Sequence, residues 1–409
     1  MKVRIKNVFH FFNAVLAVTF YGYPARKLTV IGVTGTDGKT TTAALIYQIL
    51  KKAGEKVALI TTVNAYIGRR QINTGFHVTT PNPWSLQKLV KDVVDAGCKH
   101  LILEATSHGL DQYRVLGTNI SIAVVTNITH EHLDYHKTYL NYLKAKAKIF
   151  KHAKIAILNK TDSSYKRLIK YLRKDTKLIS YDSKINKEKI KKAVDKRFPE
   201  IYNKFNAAAA ISVAKELGIK ESDIIKAIKS FSSVTGRMEY IKNNKGINII
   251  IDFAHTPNAL ENVLKALKTK IKKGRLIAVF GCAGERDKAK RPMMGAISTK
   301  YADVSIFTAE DPRHEDMNNI IDAMVKGVIK GGAKEVDYQS RVFSKKPVFL
   351  RIKDRQEAIS FAINNISKRG DTIVICGKGH EKSMNYEGIE HPWTDKDAVN
   401  KALKVKNYE

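Results

Sequence analysis

The sequence predicts an α/β fold built from two successive parallel sheets that are covered by helices. Short apolar segments alternate with amphipathic segments in two series, one before and one after residue 235. Strands that are apolar throughout and separated by helices are typical of parallel sheets buried on both faces. Glycine-rich or charged segments follow many of the apolar ones, and in such folds the ligand-binding residues gather at the carboxyl ends of the strands.

The composition is that of a globular protein with two or three domains. The chain has 409 residues, of which 44% are hydrophobic and 27% are charged. The formal net charge is +33, but the sequence has no zinc-finger or RNA-recognition motif and no arginine stripe, so a solvated, lysine-rich surface is favoured over nucleic-acid binding. The three scattered cysteines are typical of a reducing compartment, and we expect a cytoplasmic protein.

The first 27 residues combine a basic start with an apolar, aromatic-rich run. Lys2, Arg4 and Lys6 come before an apolar stretch over residues 8–23 that is interrupted by polar residues and is too short for a transmembrane helix. The pattern predicts a helix with two open interpretations. It packs on the surface of a domain, or residues 1–25 make a peripheral membrane contact with the basic residues near anionic headgroups.

The first alternating series begins at Leu28. The predicted strands are Leu28–Val33, Lys56–Thr61, His100–Glu104, Ile122–Thr126 and Ala153–Leu158. The predicted helices between them are Thr41–Ala53, Ser85–Ala96 and Leu140–Lys148. Residues 183–203 are rich in Lys and Glu and are predicted as helix or loop, and two further helices follow over Asn206–Leu217 and Ser222–Phe231.

The second series gives four more predicted strands. They are Ile247–Asp252, Arg275–Phe280, Val304–Thr308 and Thr372–Cys376, with helices between them. We place a domain boundary near residues 233–236. The chain is therefore predicted to divide into an N-terminal helical segment (residues 1–27), a central domain (residues 28–235) and a Rossmann-like α/β C-terminal domain (residues 236–409).

A glycine-rich loop after the first predicted strand indicates a phosphate-binding site. The residues Gly35-Thr36-Asp37-Gly38-Lys39-Thr40 lie between an apolar strand and a predicted helix. Glycines let backbone N–H groups turn toward an anion, and the helix N-terminus adds its positive dipole end. Lys39 can reach the β- and γ-phosphates and Thr40 can bind Mg²⁺, so the central domain is predicted to be a P-loop, ATP-binding domain. The alternative is a tight turn whose helix is capped by Asp or Thr.

Two further polar segments follow strands of the first series. Glu104 ends a strand, where a carboxylate beside a phosphate loop is a natural Mg²⁺ ligand, although acidic residues there also cap helices. The segment Asn127–His136 holds three histidines and two acids within ten residues. This density indicates metal binding or acid–base chemistry, whereas the alternative is a solvated loop with capping acids.

Four charged loops follow strands of the second series. They begin at Asp252, Gly281, Glu310 and Gly377. Structural ion pairs can explain any single loop, but four at one sheet edge indicate a common polar cleft. Within these loops Arg286 and Arg313 can hold carboxylates through bidentate contacts.

The motifs together resemble a known family. Gly35-Thr36-x-Gly38-Lys39-Thr40 with Asn127-x-Thr129-x-x-His132-Leu133-Asp134 is similar to the pattern of the Mur ligases. The resemblance narrows to the MurE branch, the UDP-N-acetylmuramoyl-tripeptide synthetases, and covers about residues 28–400. The motifs that narrow it are Ser107-His108-Gly109-Leu110, Gly236-Arg237-Met238-Glu239, Asp252-x-Ala254-His255-Thr256-Pro257, Lys290-Arg291-Pro292 and Gly377-Lys378-Gly379-His380-Glu381.

The resemblance implies an ATP-dependent amide ligase of peptidoglycan precursor synthesis. Such an enzyme adds a diamino acid to the D-Glu of a muramoyl-L-Ala-D-Glu acceptor through an acyl phosphate. It implies catalytic roles for Lys39, Glu104, His132, carbamylated Lys146 and His255. It implies ATP binding by Gly35, Thr36, Asp37, Gly38, Lys39, Thr40, Thr41, Asn206, Arg237 and Asp252. Two Mg²⁺ sites are implied, with ligands from Thr40, Glu104, His132 and Lys146.

The same resemblance implies two groups of substrate-binding residues. The acceptor-binding residues are Thr79, Thr80, Thr106, Gln112 and Arg114. The residues around the incoming amino acid are Arg286, Asp311, Arg313, Gly377 and Glu381. Family members that use meso-diaminopimelate carry Asp-Asn-Pro-Arg, where this chain has Glu310-Asp311-Pro312-Arg313. Arg313 favours diaminopimelate over lysine, whereas Asp311 adds a charge that can pair with the distal ammonium but repels a carboxylate.

The chain departs from the family pattern at its start. Only 27 residues precede the first predicted strand, so we expect the family's uridine-diphosphate-binding domain to be absent, and residues 182–203 look shortened. UDP recognition then comes from a partner protein, or the acceptor is held through its muramoyl-peptide; a lipid-linked acceptor is also allowed. We expect a monomer. The alternatives are a related ligase that uses lysine or another peptide acceptor, and a non-catalytic ATP-binding subunit.

Overall fold

The computed structural model describes residues 2–72, 80–337 and 347–404, and gives no side-chain description for residues 2–6 and 330. The chain divides into two compact units. Unit 1 comprises Met1–Thr129 and His136–Ser232, and unit 2 comprises His130–Tyr135 and Ser233–Glu409. The division into three functional parts stays a prediction.

Unit 1 is built around one eight-stranded sheet. The strands are β1 (Thr29–Thr34), β2 (Val57–Ile60), β3 (Ala65–Ile67), β4 (Arg70–Ile72), β5 (His100–Glu104), β6 (Ile122–Val125), β7 (Ile155–Asn159) and β8 (Lys177–Tyr181). Their order is β4-β3-β2-β5-β1-β6-β7-β8. All neighbours from β2 to β8 pair in parallel, and only β3 and β4 are added antiparallel at one edge.

Ten helices belong to the described part of unit 1. They are α1 (Lys2–Phe20), α2 (Lys39–Lys52), α3 (Pro83–Asp95), α4 (Ser107–Asp111), α5 (Leu133–His136), α6 (Tyr139–Ala147), α7 (Tyr165–Ile169), α8 (Glu188–Arg197), α9 (Ile201–Glu216) and α10 (Glu221–Lys229), of which α5 begins in the unit 2 segment. Helix α3 starts two residues earlier than expected because the Asn82 side chain accepts a hydrogen bond from the backbone N–H of Ser85 and caps it.

Unit 2 contains a seven-stranded sheet and a separate hairpin. The strands are β9 (Glu239–Ile241), β10 (Asn248–Asp252), β11 (Leu276–Phe280), β12 (Val304–Phe307), β13 (Lys334–Glu335), β14 (Val348–Arg351), β15 (Thr372–Cys376), β16 (Ser383–Tyr386) and β17 (Ile389–Pro392). The sheet order is β13-β14-β12-β11-β15-β10-β9, parallel except for β9 at one edge. Strands β16 and β17 pair with each other as an antiparallel hairpin, and Tyr386 of β16 also forms an isolated parallel bridge with Arg313.

Helices flank the parallel strands of unit 2 and bury an aliphatic core. They are α11 (Pro257–Lys270), α12 (Lys290–Tyr301), α13 (Met317–Lys330), α14 (Arg355–Phe361) and α15 (Asp395–Lys404). Isoleucine and valine from β10, β11, β12 and β15 pack with α14 and α15 in one cluster. The predicted α/β fold class is confirmed. Among the described residues, no helix is both long and apolar enough to cross a membrane.

A buried ion pair joins four elements of unit 2. The guanidinium of Arg355, at the start of α14, donates through Nε and Nη2 to both carboxylate oxygens of Asp395 at 2.8 Å, and neither side chain is exposed. The same guanidinium donates to the carbonyl oxygens of Ala309 and Cys376 at 3.0 and 2.9 Å. The remaining polar atoms of the pair are therefore satisfied, which is the condition under which a buried ion pair is tolerated.

We predict that Arg355→Met destabilises unit 2 by about 3–5 kcal/mol, because it leaves the Asp395 carboxylate buried and unpaired. Trp393 donates to Asp395 Oδ1 at 3.0 Å and reports on this site. In a Trp84→Phe background Trp393 is the only tryptophan, so its fluorescence during urea unfolding follows unit 2.

The matched control is Arg351→Met, because Arg351 forms exposed ion pairs with Asp322 and Glu335 and its loss is expected to cost about 0–1 kcal/mol. Equal urea midpoints for Arg355→Met and Arg351→Met would contradict the importance of the buried pair.

Candidate active site

The phosphate loop closes against the end of the neighbouring strand β6. The backbone N–H of Thr36 donates to the carbonyl oxygen of Asn127 at 2.7 Å, and that of Asp37 donates to Asn127 Oδ1 at 3.0 Å. Thr126 Oγ1 donates to the Asp37 carbonyl oxygen at 2.6 Å. A Cβ at Gly35 would lie 1.8 Å from Thr126 Oγ1, so this approach requires glycine.

Helix α2 begins directly after the loop. Gly38, with φ of +81°, is its N-cap, and Lys39 is its first residue. The Lys39 ammonium donates to the Thr36 carbonyl oxygen at 2.9 Å and therefore folds back over the loop. Asn206 of α9 approaches the loop from the other side, because its Oδ1 accepts from Thr42 Oγ1 at 3.2 Å and would lie 2.3 Å from a Cβ at Gly38.

Two predicted metal-binding residues lie together at the carboxyl ends of β1 and β5. Thr40 Oγ1 lies 3.2 and 3.0 Å from the two carboxylate oxygens of Glu104, and both side chains are buried. A hydroxyl and a carboxylate beside a phosphate loop are the oxygen donors that Mg²⁺ prefers. His132 belongs to unit 2, where its Nδ1 lies 4.0 Å from Glu131 Oε1.

Lys146 is almost completely buried beside the phosphate loop. Its ammonium donates to the Gly35 carbonyl oxygen at 2.6 Å and lies 4.7 Å from the centre of the Tyr142 ring. Tyr142 OH lies 3.1 Å from Thr36 Oγ1, which also accepts from the Thr129 N–H at 2.9 Å. Lys146 is thus an interior side chain at the loop rather than one of the many surface lysines.

The predicted acceptor-binding residues that the structure describes form one network. Thr80 Oγ1 lies 3.0 Å from Thr106 Oγ1 and accepts from the Thr106 N–H at 3.0 Å. Arg114 donates to the Thr80 carbonyl oxygen at 2.9 Å and holds Gln112 Oε1 through two nitrogens at 3.1 and 2.7 Å. Thr79 lies outside the described residues.

The histidine-rich segment does not act as a single cluster. His136 is buried in unit 1, packs on the rings of His108 and Tyr142, and burial lowers its pKa to about 4. His130 lies 3.1 Å from Asp287 in unit 2. Within the described ranges no group of three or more His, Cys, Asp or Glu residues has the arrangement of a metal site. A purely His/Cys/Asp/Glu metal centre in this segment therefore gains no support.

A buried lysine and an aromatic stack occupy unit 2 near β10. Lys290 donates to Glu131 Oε1 at 3.3 Å and to the His255 carbonyl oxygen at 2.8 Å. The His255 ring donates through Nδ1 to the Phe253 carbonyl oxygen at 2.8 Å, which fixes its tautomer. The Arg237 guanidinium lies 4.4 Å from the centre of the Phe253 ring.

Asp252, at the end of β10, accepts hydrogen bonds from two backbone segments of unit 2. Its two carboxylate oxygens accept from the backbone N–H groups of Met238 and Ala254 at 2.7 and 2.9 Å. Arg237, Asp252 and His255, which the sequence groups around ATP, therefore lie close together within unit 2.

Two of the residues predicted for the incoming amino acid, Asp311 and Glu381, contact one ammonium group. Lys378, whose side chain is only 1% exposed, lies 2.7 Å from Asp311 Oδ1 and 2.5 Å from Glu381 Oε2. Burial lowers the pKa of Lys378, but Glu381 and Asp311 raise it by more, so the group remains a cation. Asp311 Oδ1 also accepts from the backbone N–H of Asn385 on β16 at 2.9 Å. The Asp311 carboxylate is therefore already bound by protein groups, and it shares the Lys378 ammonium with Glu381.

Arg313 and Arg286 border this set. Arg313 donates through Nη1 to the Gly284 carbonyl oxygen at 2.5 Å, and Arg286 is within electrostatic range of both Arg313 and Asp311. Arg313 and Asp311 have φ angles of +53° and +43°, in the left-handed region that non-glycine residues rarely adopt. Such conformations cluster at functional sites, where the surrounding structure holds them.

Behind Gly377 lies a buried acid, Glu310. Its Oε2 has no hydrogen-bond partner among the residues that the structure describes, and a Cβ at Gly377 would lie 2.7 Å from this oxygen. Burial raises the pKa of Glu310 to about 8, against the opposing influence of Lys290 and Arg355. Glu310 is therefore predominantly neutral at pH 7.

Sequence reasoning did not assign roles to several residues that hold this site together. Lys378 stands in the Gly377–Glu381 motif, and its position between two assigned residues was the available signal. Phe253 likewise lies between Asp252 and His255. Nothing in the sequence indicated the role of Arg355, since a single arginine at the start of a helix is usually exposed to solvent.

Comparisons with known proteins agree with this arrangement. Residues 33–214 match the Mur ligase middle domain, and residues 236–379 match the family described as "Mur ligase, glutamate ligase domain". The "UDP-N-acetylmuramoyl-L-alanyl-D-glutamate--2,6-diaminopimelate ligase" of Aquifex aeolicus is 37% identical over 402 residues, which cover 94% of this chain and 79% of that protein. The ligase of the same name from Clostridium tetani is 38% identical over 392 residues, covering 90% and 76%.

Solved structures show the same likeness. One of a UDP-N-acetylmuramoyl-L-alanyl-D-glutamate--2,6-diaminopimelate ligase has a TM-score of 0.56 at 30% identity, covering 92% of this chain and 78% of that chain. MurF from Acinetobacter baumannii has a TM-score of 0.68 at 14% identity, covering 96% and 81%, and therefore shows a shared fold alone. Matches to both family domains and relatives of this identity and coverage lead to one conclusion: the chain belongs to the Mur ligase family.

Proposed function

We propose that this protein is an ATP-dependent ligase that adds meso-diaminopimelate to the D-Glu of a muramoyl-L-Ala-D-Glu acceptor. The observation that carries the proposal is the cluster that the buried side chains of Thr40, Glu104 and Lys146 form at the phosphate loop Gly35–Thr40. Relatives at 37% and 38% identity are named for this reaction. In the proposed reaction the acceptor carboxylate takes the γ-phosphoryl group of ATP, and the amine of the diamino acid then displaces phosphate.

The phosphate loop supplies charge and direction for the first step. Backbone N–H groups at the start of α2 and the Lys39 ammonium point at the phosphates and stabilise the negative charge that moves between them. The bonds from Thr126 and Asn127 to the loop backbone fix its shape in advance. We assign Asn206 of unit 1 to the nucleotide as well, and within unit 2 Arg237, Asp252 and His255 keep their predicted role as nucleotide-binding residues.

The oxygen donors beside the loop fit Mg²⁺. Within unit 1 we assign Thr40 and Glu104 to one metal ion and carbamylated Lys146 to a second, and His132 of unit 2 keeps its predicted role as a metal ligand. When bound, Mg²⁺ neutralises phosphate charge. The burial of Lys146 beside the loop supports this assignment, because it places the nitrogen that would carry the carbamate 2.6 Å from the Gly35 carbonyl oxygen.

The acceptor is assigned to the Thr80–Thr106–Arg114 network, together with Thr79 and Gln112. Arg114 is anchored by Thr80 and Gln112, which fixes the direction of its guanidinium for an anionic group of the peptide.

Charge balance in unit 2 supports diaminopimelate over lysine. Asp311 and Glu381 are compensated in part by Lys378, and neutral Glu310 contributes no charge, while Arg286 and Arg313 add two cations. The remaining balance is positive. Diaminopimelate carries one more carboxylate than lysine, so this pocket favours diaminopimelate. The compensation of Asp311 by Lys378 also removes the repulsion that an aspartate at this position suggests from sequence.

We further propose that the protein acts in the cytoplasm as a monomer, with residues 28–235 as the ATP-binding domain and residues 236–409 as the amino-acid-binding domain. The change from unit 1 to unit 2 after Ser232 supports this division.

We predict that Lys39→Ala lowers the rate of ATP-dependent ligation by about 10²-fold or more, because it removes a cation that stabilises the transferring phosphoryl group. Phosphate release that depends on both acceptor and amino acid is the measurement. Lys52→Ala, in the last turn of the same helix, is the control and should be fully active. Full ligase activity in Lys39→Ala would refute the assignment of the loop.

We predict that Arg313→Ala lowers kcat/KM for diaminopimelate. The loss should correspond to about 1.5–3 kcal/mol of transition-state stabilisation, the contribution of a hydrogen bond to a charged group, and lysine turnover should stay nearly unchanged. The assay pairs UDP-linked and UDP-free muramoyl-dipeptides with each amino acid. Equal losses for both amino acids would show a structural effect instead, and efficient use of lysine alone by the natural protein would exclude diaminopimelate. His314→Ala, at the next and exposed position, serves as the control.

Glu310→Gln tests the neutral acid. Because the pKa of Glu310 rises from an ordinary 4.5 in the unfolded chain to about 8 in the folded one, the folded state binds more protons between these values, and stability falls as pH rises. The variant lacks this loss, so its free energy of unfolding relative to the natural protein should increase from pH 5.5 to pH 8, by at most about 1.4 kcal/mol per pH unit. A pH-independent difference in urea unfolding would show that Glu310 is ionised in the folded state.

A further inference from the structure

Helix α1 has an apolar face that unit 1 does not cover. Phe9, Phe12, Leu16, Phe20 and Val8 are between 56% and 72% exposed. They recur at the spacing of one helix side and run along most of the described length of α1. We call these five side chains the outer face of α1. Contiguous exposed apolar side chains of this size mark an interaction surface, since scattered single ones would need no explanation.

The opposite face of α1 is firmly packed, which fixes the direction of the outer face. Ala14, Ala17 and Val18 are buried, and a Cβ at Gly117 would lie only 2.6 Å from Val18. Trp84 of α3 donates to Asn13 Oδ1 at 3.0 Å, so α1 is also pinned by a polar contact. The helix is apolar on both faces, a pattern typical of helices that are covered on all sides.

Aromatic and basic residues flank the outer face. Phe20 packs on Trp84 with ring centroids 5.5 Å apart, and Trp84 itself is 37% exposed. A tryptophan side chain that is partly exposed to water and partly packed on apolar groups is favoured at the level of lipid headgroups. Lys2, Arg4 and Lys6 stand at one end of α1 in the sequence, and Arg26 and Lys27 follow the other end.

The charge of this region has one sign only. No aspartate or glutamate precedes Asp37 in the sequence, whereas five lysines and arginines lie between residues 2 and 27. The whole chain carries a formal net charge of +33. A second copy of the chain would therefore be repelled from this face, whereas an anionic surface would be attracted.

We propose that the outer face of α1 binds the surface of an anionic phospholipid bilayer, with the helix axis parallel to the surface. The 19 residues of α1 give a helix about 28 Å long, so its apolar side chains enter the boundary between headgroups and acyl chains along their full row. Arg26 and Lys27, which follow α1, contact the phosphate groups of the lipids. The inference is independent of the proposed ligase activity.

The test is co-sedimentation of the full chain with vesicles of phosphatidylcholine and phosphatidylglycerol, and with vesicles of phosphatidylcholine alone. We expect binding to the anionic vesicles, at least tenfold weaker binding to the neutral ones, and a decrease at 0.5 M salt. Phe12→Glu/Leu16→Glu should lower vesicle affinity at least tenfold and leave ATP-dependent ligation in solution unchanged, which shows that the variant is folded.

Ile329→Glu is the matched control, since Ile329 is 66% exposed on α13 of unit 2, and it should bind vesicles like the natural protein. Equal binding by both variants would overturn the role of α1, and equal binding to both kinds of vesicle would overturn the selection of anionic lipid. Sedimentation velocity tests whether a second copy of the chain binds the outer face of α1 instead. A dimer that dissociates in Phe12→Glu/Leu16→Glu, without vesicle binding by the natural protein, would assign the face to a second copy.

Discussion

The bidentate ion pair between Arg355 and Asp395 is the contact on which the binding end of unit 2 depends. Its guanidinium also holds the carbonyl oxygens of Ala309 and Cys376, the backbone positions from which the Glu310–Arg313 and Gly377–Glu381 loops emerge. One buried side chain thus sets the distance between two loops that strand pairing alone does not join, since β11 separates β12 from β15. The contact between Lys378 and Asp311 bridges the same two loops closer to solvent.

Unit 1 solves a similar problem without an ion pair. Its loop between β1 and α2 is held by hydrogen bonds from Thr126 and Asn127, and the absence of side chains at Gly35 and Gly38 lets these neighbours come close. Backbone-to-side-chain bonds suit a site for polyphosphate, because they order the N–H groups without placing a fixed negative charge there. Two charged side chains lie on the buried side of the loop. Lys146 donates to the Gly35 carbonyl oxygen, and the Glu104 carboxylate accepts from Thr40 Oγ1.

The sequence was sufficient for most of the parallel strands, though not for β8, β13 and β14, and for the phosphate loop and the family, because apolar runs and glycine spacing are local properties. Strands β3 and β4 were not predicted, since a strand of three residues is too short to show an alternating hydrophobic pattern. Strand β8 was not predicted because its exposed side chains are polar. The contacts of the Asp311 carboxylate could not be predicted from the sequence, for a different reason. They depend on Lys378, 67 residues away, and on the backbone of β16, and no local pattern reports such a distant pairing.

The contact between Glu131 and Lys290 bears on how this chain folds. The two side chains are 159 residues apart in sequence, both are buried, and Glu131 lies in a six-residue segment that interrupts the sequence of unit 1. A fragment that begins at Ser233 would retain every strand of its sheet but would bury the Lys290 ammonium without this carboxylate. The fold of unit 2 therefore includes a segment that is synthesised well before the rest of the unit. A contact between residues so far apart in sequence forms slowly during folding.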